Sequence, residues 1–584
     1  MIILGISAYY HDSAAALLKD GVLLCAIQEE RLSRVKHDKS FPELAINKCM
    51  SMTGIGINDI NCIIYYEKPF LKFERIIDTI TTGIPFSFSH FRSAIPLWVK
   101  KRLWISSEIK KKLNFQGEIL FANHHDSHAA AAFYTSGFED AAIITLDGVG
   151  EFATTTIGRG MGNKIEILRE QHFPHSLGLL YSAFTQYCGF KVNSGEYKLM
   201  GLAPYGKPLY KQLIYDHLIR VYPDGSYRLI MDYFDYAEGL RMINSRFEKL
   251  FGKPMRLAES PLEQFYMDVA ASIQEVVEEV VITLVRVTKE LTQKKKAVFA
   301  GGVMLNCKLN QKIVEEGIFE NHYFYPCPGD AGSAVGSAYL AWHDFYRKEN
   351  TGVLQDEVYL GHEVVDSGSD GIEELLNHFK IPFSFEENVY KTVASEIANG
   401  IIIGWFNGRM EFGPRALGNR SIVSDPRRAE MKNILNEKIK LREQFRPFAP
   451  AILENKANDY FHLHPTKYNT MMVTAASKEG AKKLMPAVIH EDGTARIQTV
   501  SANGNPEFYK LLESFYNLTG CPALINTSFN VRGEPIVSSV EDALRAFLYT
   551  DIDILVFGAK YIIRKDQNLE AAKILIQPKV YEDD

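Results

Sequence analysis

The chain has 584 residues, too many for one hydrophobic core, so two or three domains are expected. With 46% hydrophobic and 23% charged residues and a net charge of −6, it is an ordinary globular composition with no overall drive toward nucleic acid or an anionic membrane. Seven cysteines are scattered without a Cys-x-x-Cys pair, which excludes a disulfide framework or a thiolate zinc site and points to a reducing cytoplasm.

The first elements are short. Residues 2–8 form an apolar strand without a basic leader, which excludes a signal peptide, and Tyr9-Tyr-His-Asp-Ser13 is a polar turn. Ala14 to Leu18 is a second strand, Lys19-Asp-Gly21 a hairpin signal, and Val22 to Gln28 a third strand. Ile80 to Trp104 is aromatic but interrupted by Pro, Ser, His and Arg, so it predicts a lid or packing hairpin, not a membrane span. The basic runs at 100–102, 110–112 and 294–296 read as solvated faces.

Next comes Ala122-Asn-His-His-Asp-Ser-His-Ala-Ala-Ala-Ala-Phe133. Asn123 as a cap and the alanine run predict a helix with His124 and His128 one turn apart on one face. Asp147, at the end of the apolar run Ile143–Leu146, is the third candidate ligand of a mixed imidazole/carboxylate site suited to Fe(II), Mn(II) or Zn(II). It is no zincin, because His125 stands where that signature has Glu. A helix start with incidental histidines is the bland alternative.

The opening pattern then repeats. Strands over 142–146, 152–157 and 164–169, with turns at 147–151 and 158–163, echo the first unit, so the loops after the two leading strands should face each other across a cleft. This arrangement resembles the duplicated actin-like (ASKHA) ATPase superfold. Its expected third signature is Lys296 to Asn306, a strand meeting Gly301-Gly302, where backbone amides can approach a phosphate or nucleoside. Asp330, in a turn before a small-residue helix, is either an N-cap or a fourth metal ligand.

The polar, glycine-rich stretch around 346–372 marks a boundary, giving expected domains 1–350 and 373–584 with a linker at 351–372. Beyond it arginines recur in tight turns: Gly408 to Ser421 with Arg415, Lys438 to Pro450 with Lys440 and Arg446, Arg496, and Asn526 to Pro535 with Asn530 and Arg532. Guanidinium forks held this way suit a phosphate or carboxylate pocket.

Taken as an ordered set, these motifs resemble the NodU/CmcH-type carbamoyltransferase family. The resemblance spans nearly the whole chain and rests on His11-Asp-Ser-Ala-Ala15, Gln28-Glu-Glu-Arg31, His124-His-x-x-His128, Gly195-Glu-Tyr-Lys198, Ala300-Gly-Gly302, Pro328-Gly-Asp330, Glu411 to Arg420, Phe445-Arg-Pro-Phe-Ala449 and Asn526-Thr-Ser-Phe-Asn530. It implies an actin-like domain followed by a YrdC-like α/β domain. The latter would convert carbamoyl phosphate and ATP, with Mg²⁺, to carbamoyl adenylate. The former would pass the carbamoyl group to a hydroxyl of a sugar or natural product, using Fe(II) or another divalent transition metal.

On that resemblance His124, His128, Asp147 and Asp330 hold the metal, and Gly301, Gly302, Asn306, Glu196 and Lys198 line the adenosine site. Arg415, Lys440, Arg446, Arg496, Asn530 and Arg532 bind carbamoyl phosphate and ATP, with the cations stabilising charge. His11 is the candidate base for the acceptor hydroxyl, a neutral imidazole near pH 7 being matched to that task. The labile intermediate calls for an enclosed passage. A small-molecule kinase leaves the histidine pair and the arginine turns unexplained. A threonylcarbamoyladenosine-type tRNA modification enzyme would need a basic stripe that is missing, and a non-catalytic sensor ATPase would release no phosphate from carbamoyl phosphate. A cytoplasmic enzyme without nucleic acid or stable membrane insertion is expected, with homo-oligomerisation left open.

Overall fold

The computed structural model describes residues 1–82, 95–96, 98–100, 102–237, 241–349, 358–363, 370–579 and 581. Of the lid or packing hairpin expected over Ile80 to Trp104, residues 83–94, 97 and 101 lie outside the described residues, as do 351–357 and 364–369 of the expected linker. The chain is mixed α/β and groups into two compact units, Met1–Leu24 with Thr53–Gln355, and Cys25–Met52 with Asp356–Asp584.

The first unit contains two sheets. One is built from β1 (Ile2–Ser7), β2 (Ala14–Lys19), β3 (Val22–Gln28, which runs on into residues of the other unit), β4 (Cys62–Tyr65) and β5 (Glu118–Phe121), in the order β3-β2-β1-β4-β5. β1 pairs antiparallel with β2 and parallel with β4, and β4 pairs parallel with β5. Asp20 and Gly21, both at positive φ (50° and 80°), make the two-residue turn of the β2–β3 hairpin, as the Asp-Gly signal predicts.

The second sheet repeats this plan. It is built from β6 (Asp140–Leu146), β7 (Ala153–Met161) and β8 (Lys164–His172). After a small β9 (Ile219–Val221) and β10 (Tyr227–Leu229) hairpin come β11 (Lys296–Ala300) and β12 (Asn321–Phe324). The order is β12-β11-β6-β7-β8, again with two antiparallel neighbours on one side of the leading strand and two parallel strands on the other. β7 runs past the turn expected at Gly158, because Gly158 and Gly160 stay in the ladder and the chain reverses at Gly162, with φ +61°.

Between the sheets' crossovers lie helices made of small residues. Helix His124–Thr135 is almost wholly buried, and helix Asp330–Leu340 (Asp-Ala-Gly-Ser-Ala-Val-Gly-Ser-Ala-Tyr-Leu) is entirely so. A Cβ on Gly336 would stand 1.8 Å from Ser127 O, and one on Gly5 of β1 would stand 2.0 Å from Ala334 O. Without side chains at these contacts the two helices and β1 approach backbone to backbone, which is why the alanine run is buried on every face.

The second unit holds an eight-stranded sheet of β13 (Ser384–Phe385), β14 (Ile403–Phe406), β15 (Arg420–Ser424), β16 (Ala449–Leu453), β20 (Gln498–Val500), β21 (Ala523–Ser528), β22 (Ile554–Phe557) and β23 (Tyr561–Arg564). Its order is β13-β23-β22-β14-β15-β21-β16-β20. A separate three-stranded sheet comprises β17 (Phe461–His462), β18 (Ala475–Ser477) and β19 (Thr494–Ala495).

Residues 25–52 belong to this unit, whereas the chain-order reading put all of 1–350 in one domain. Arg34 explains the difference, donating to Glu534 Oε1 (2.9 Å), Pro535 O (2.8 Å) and Ile536 O (2.7 Å), while Arg31 donates to Gly413 O at 2.6 Å. Such ties span from 382 to 502 positions and leave no local composition signal. The seven cysteines are all free and buried, and among the described residues no helix is long and apolar enough to cross a membrane.

Candidate functional site

Four donors converge in the first unit. His124 and His128 project from one face of helix His124–Thr135, Asp147 follows β6, and Asp330 opens helix Asp330–Leu340. His124 Nε2 is 3.1 Å from His128 Nε2 and 3.2 Å from Asp147 Oδ2, and Asp330 Oδ1 is 3.7 Å from both imidazole Nε2 atoms. One ligand atom from each of the four lies within 4.8 Å of all the others, and all four residues are buried.

These spacings suit a cation. Ligand bonds of about 2.0–2.2 Å place neighbouring donors about 3.0–3.5 Å apart around a tetrahedral or octahedral ion. Two imidazole nitrogens and two carboxylates form a borderline donor set suited to a divalent transition metal, and Asp330 Oδ1 is buried without a hydrogen-bond partner. The residues fit the group.

The surroundings orient each candidate ligand. Gly302 N donates to Asp147 Oδ1 at 2.9 Å, so the Gly301-Gly302 turn, with Gly301 at φ +92°, holds the carboxylate in place. Ser333 Oγ lies 3.3 Å from His128 Nδ1, and Tyr66 donates to Asp330 Oδ2 at 3.4 Å. His124 N donates to both oxygens of Glu151, at 3.0 and 3.1 Å. Glu151 therefore does what Asn123 was expected to do. The Asn123 side chain accepts no cap hydrogen bond and instead donates to Asp126 Oδ2 at 2.6 Å, leaving the helix's positive end to a carboxylate from the facing loop. Asp330 is likewise no N-cap, since Gly329 holds that position.

Electrostatics follow from burying this cluster. Burial opposes charge on His124, but Asp330, Asp147 and Glu151 outweigh it and raise its pKa to about 9. Burial would raise Asp147, yet the hydrogen bond from His124 and the charges of the neighbouring His128 and His124 hold it well below the usual carboxylate range. His125 is driven down to about 3 by burial and then by its two histidine neighbours. It sits at 2.6 Å from Thr145 Oγ1 as a neutral core residue.

His11 lies in the loop after β1, with Nδ1 3.1 Å from Asp12 Oδ2. Burial opposes its charge, but Asp330, Asp12 and Asp147 together raise it to about 10, so the expected neutral imidazole requires these carboxylates to be neutralised. A divalent cation on Asp147 and Asp330 would do that.

The expected nucleotide residues are each held by local partners. Asn306 caps helix Cys307–Glu315 through Leu309 N (3.0 Å) and exchanges two hydrogen bonds with Gln274 (2.9 and 3.1 Å). Glu196 accepts from Ser182 Oγ (2.7 Å) and Asn193 N (3.0 Å) at the start of helix Glu196–Leu202, which also carries buried Lys198.

In the second unit Lys440 and Asn530 meet. Lys440 Nζ donates to Ser528 O and to Asn530 Oδ1 (2.8 Å) and O (3.0 Å), and burial followed by Arg442 and Arg446 pulls its pKa well below the ordinary value. Arg446 pairs with Glu443 at 3.7 Å, and Arg415, Arg446, Arg496 and Arg532 are all half-buried. The other arginines of the Gly408–Ser421 turn are structural. Arg409 donates to Leu360 O and Gly361 O, and fully buried Arg420 donates to Asn407 O, Gly408 O and Asn419 O. Glu411 gathers the amides of Leu417, Asn419 and Arg420.

Tyr66, Glu151 and Ser333 are the site neighbours that sequence reasoning missed. Glu151 alone carried a signal, as the only acidic side chain in the turn that follows Asp147.

A family model described as carbamoyltransferase N-terminus matches residues 2–339, and one described as carbamoyltransferase C-terminus matches residues 394–565. An uncharacterized protein of Synechocystis sp. is 47% identical, the match covering 95% of each chain. Nodulation protein NolNO of Sinorhizobium fredii is 39% identical over 96% of this chain and 80% of its own length. The 3'-hydroxymethylcephem-O-carbamoyltransferase of Streptomyces clavuligerus is 31% identical over 46% of this chain and 49% of its own.

Proposed function

Because the chain belongs to the carbamoyltransferase family and is therefore a transferase, we propose that it is an ATP-dependent O-carbamoyltransferase that works in two steps. In the second unit, carbamoyl phosphate would lose inorganic phosphate, and the carbamate would attack the α-phosphorus of ATP to give carbamoyl adenylate and pyrophosphate. In the first, the carbamoyl group would pass to a hydroxyl of a sugar or other natural product. The observation that carries this reading is the buried cluster of His124, His128, Asp147 and Asp330 within the N-terminal family match. The repeated 3-2-1-4-5 sheet order supports a duplicated actin-like fold for that unit, and the second unit is proposed as YrdC-like.

Fe(II) or another divalent transition ion held by those four residues would supply Lewis-acid polarisation of the adenylate. The protein's own groups do the rest. Gly302 N, Ser333 and Tyr66 keep the ligands aimed, and a Cβ at Gly302 would stand 2.9 Å from Asp147 Oδ1, so glycine is needed for that approach. His11, with Nδ1 turned to Asp12, would take the acceptor proton at Nε2 once Asp330 and Asp147 are neutralised. Gly301, Glu196, Lys198 and Asn306 are proposed to border the adenosine.

In the second unit Arg415, Arg446, Arg496 and Arg532 would grip the phosphates. Lys440 has its donors engaged by Ser528 and Asn530, so its proposed part is to shape the Asn530 turn, holding Asn530 and Arg532 toward the phosphates. The deciding experiment is carbamoyl phosphate-dependent release of pyrophosphate from ATP by the purified chain without acceptor. Absence of that release would overturn the two-step reading.

A further inference from the structure

Arg75 has no use in the site described above. It lies on helix Pro69–Thr82, three positions after Lys72, and so on the same face. Lys72 is fully committed: its Nζ donates to Glu67 Oε2 at 2.6 Å and sits 4.8 Å above the Tyr10 ring. Glu67 Oε2 is in turn 3.9 Å from His124 Nδ1, and the Tyr10 ring is 4.5 Å from that of His11. The helix face carrying Lys72 and Arg75 therefore borders both the ligand His124 and the loop of His11.

Unlike its neighbour, Arg75 has no hydrogen bond from its side chain and no ion pair among the described residues, and its Nη1 is buried without a partner. Its guanidinium lies 5.1 Å above the Phe173 ring, with Glu67 and Glu151 attracting it from further off. Glu67 and Glu151 are the nearby acids, and both are engaged elsewhere, Glu67 with Lys72 and Glu151 with the amides of Lys68 and His124. Both act on Arg75 only across a distance, so among the described residues its Nη1 has no hydrogen-bonded anion, a cost that a ligand's oxyanion would offset.

We infer that Arg75 is a receptor for an oxyanion, a phosphoryl or carboxyl group, carried by a ligand on the His11 side of the site. The planar fork would take such a group in a charge-assisted, two-point hydrogen bond, with the Phe173 ring backing the guanidinium. The inference rests on the proposed transfer site for its location. Two ligands could bring the group: the nucleotide, through its phosphate, or an acceptor that bears a phosphate or carboxylate as well as the hydroxyl.

The test needs no turnover, so it stands apart from the transfer reading. Full-length chain, wild type, Arg75→Met and Arg75→Lys, is titrated calorimetrically with AMP and separately with glucose 6-phosphate, and the ligand-free proteins are melted. Arg75→Met should weaken one of the two probes about 10- to 100-fold, with partial recovery in Arg75→Lys, and should melt at or above the wild-type temperature because a half-buried guanidinium with an unpartnered Nη1 has gone. Loss confined to AMP identifies the nucleotide phosphate as the oxyanion, and loss confined to glucose 6-phosphate identifies an anionic acceptor. Unchanged affinity for both probes, or a lower melting temperature in Arg75→Met, would overturn the assignment.

Discussion

His124 and His128 turn their Nε2 atoms toward each other across 3.1 Å, one helical turn apart and both buried. Two imidazoles so placed need either a shared proton or a shared cation, and the two aspartates beside them favour the cation. Purified protein should therefore carry about one transition-metal ion per chain. Elemental analysis of His124→Ala and Asp330→Asn should find it largely lost, and unchanged content in both would refute the site.

Metal affinity should rise with pH. In the metal-free chain His124 is raised to about 9, so a proton competes with the metal at all lower pH, and affinity should climb by up to tenfold per unit toward pH 9. The stability of the metal-free protein should move the other way. A pKa raised above the ordinary 6.5 stabilises fully below that value and is lost as pH passes through about 9, and His11, raised to about 10, has the same sign. Chelator competition and thermal melting at pH 6.5, 7.5 and 8.5 would check both slopes.

The close crossing at Gly336 should be intolerant of any side chain. An added Cβ would lie 1.8 Å from Ser127 O and 2.8 Å from Ala131 N, both backbone atoms, so the helices bearing His124, His128 and Asp330 must separate. Gly336→Ala should cost about 1–3 kcal/mol or more and weaken metal binding with it. A melting curve and metal content like those of the wild type would contradict the packing account.

The two half-reactions should separate by unit. Arg446→Ala should abolish carbamoyl phosphate-dependent pyrophosphate release, whereas His128→Ala should retain most of it and fail in transfer. Loss of both steps in both variants would refute the division of labour.

For His11, substitution by Asn should leave pyrophosphate release intact and slow single-turnover transfer from preformed carbamoyl adenylate by about 10²–10⁴-fold. The acidic limb of the transfer rate's pH profile should flatten as well. Transfer at the wild-type rate would remove the base role.

Much of the first unit was legible in the chain. Short continuous apolar runs, the Asp-Gly turn and the repetition of the strand order set out β1 to β3 and β6 to β8, and the one-turn spacing of His124 and His128 put two candidate ligands on one helix face because helical geometry is local. The sequence left Asp330 between N-cap and fourth ligand, and the tertiary structure decided that it stands beside the two imidazoles some 200 positions away, because its position depends on Gly336 letting two helix backbones touch. It alone replaced Asn123 with Glu151 at the helix start, sent residues 25–52 to the second unit through Arg34, and turned Arg409 and Arg420 inward onto backbone carbonyls. Each of these rests on a partner distant in sequence, and an arginine that binds a carbonyl reads the same in sequence as one that waits for a phosphate.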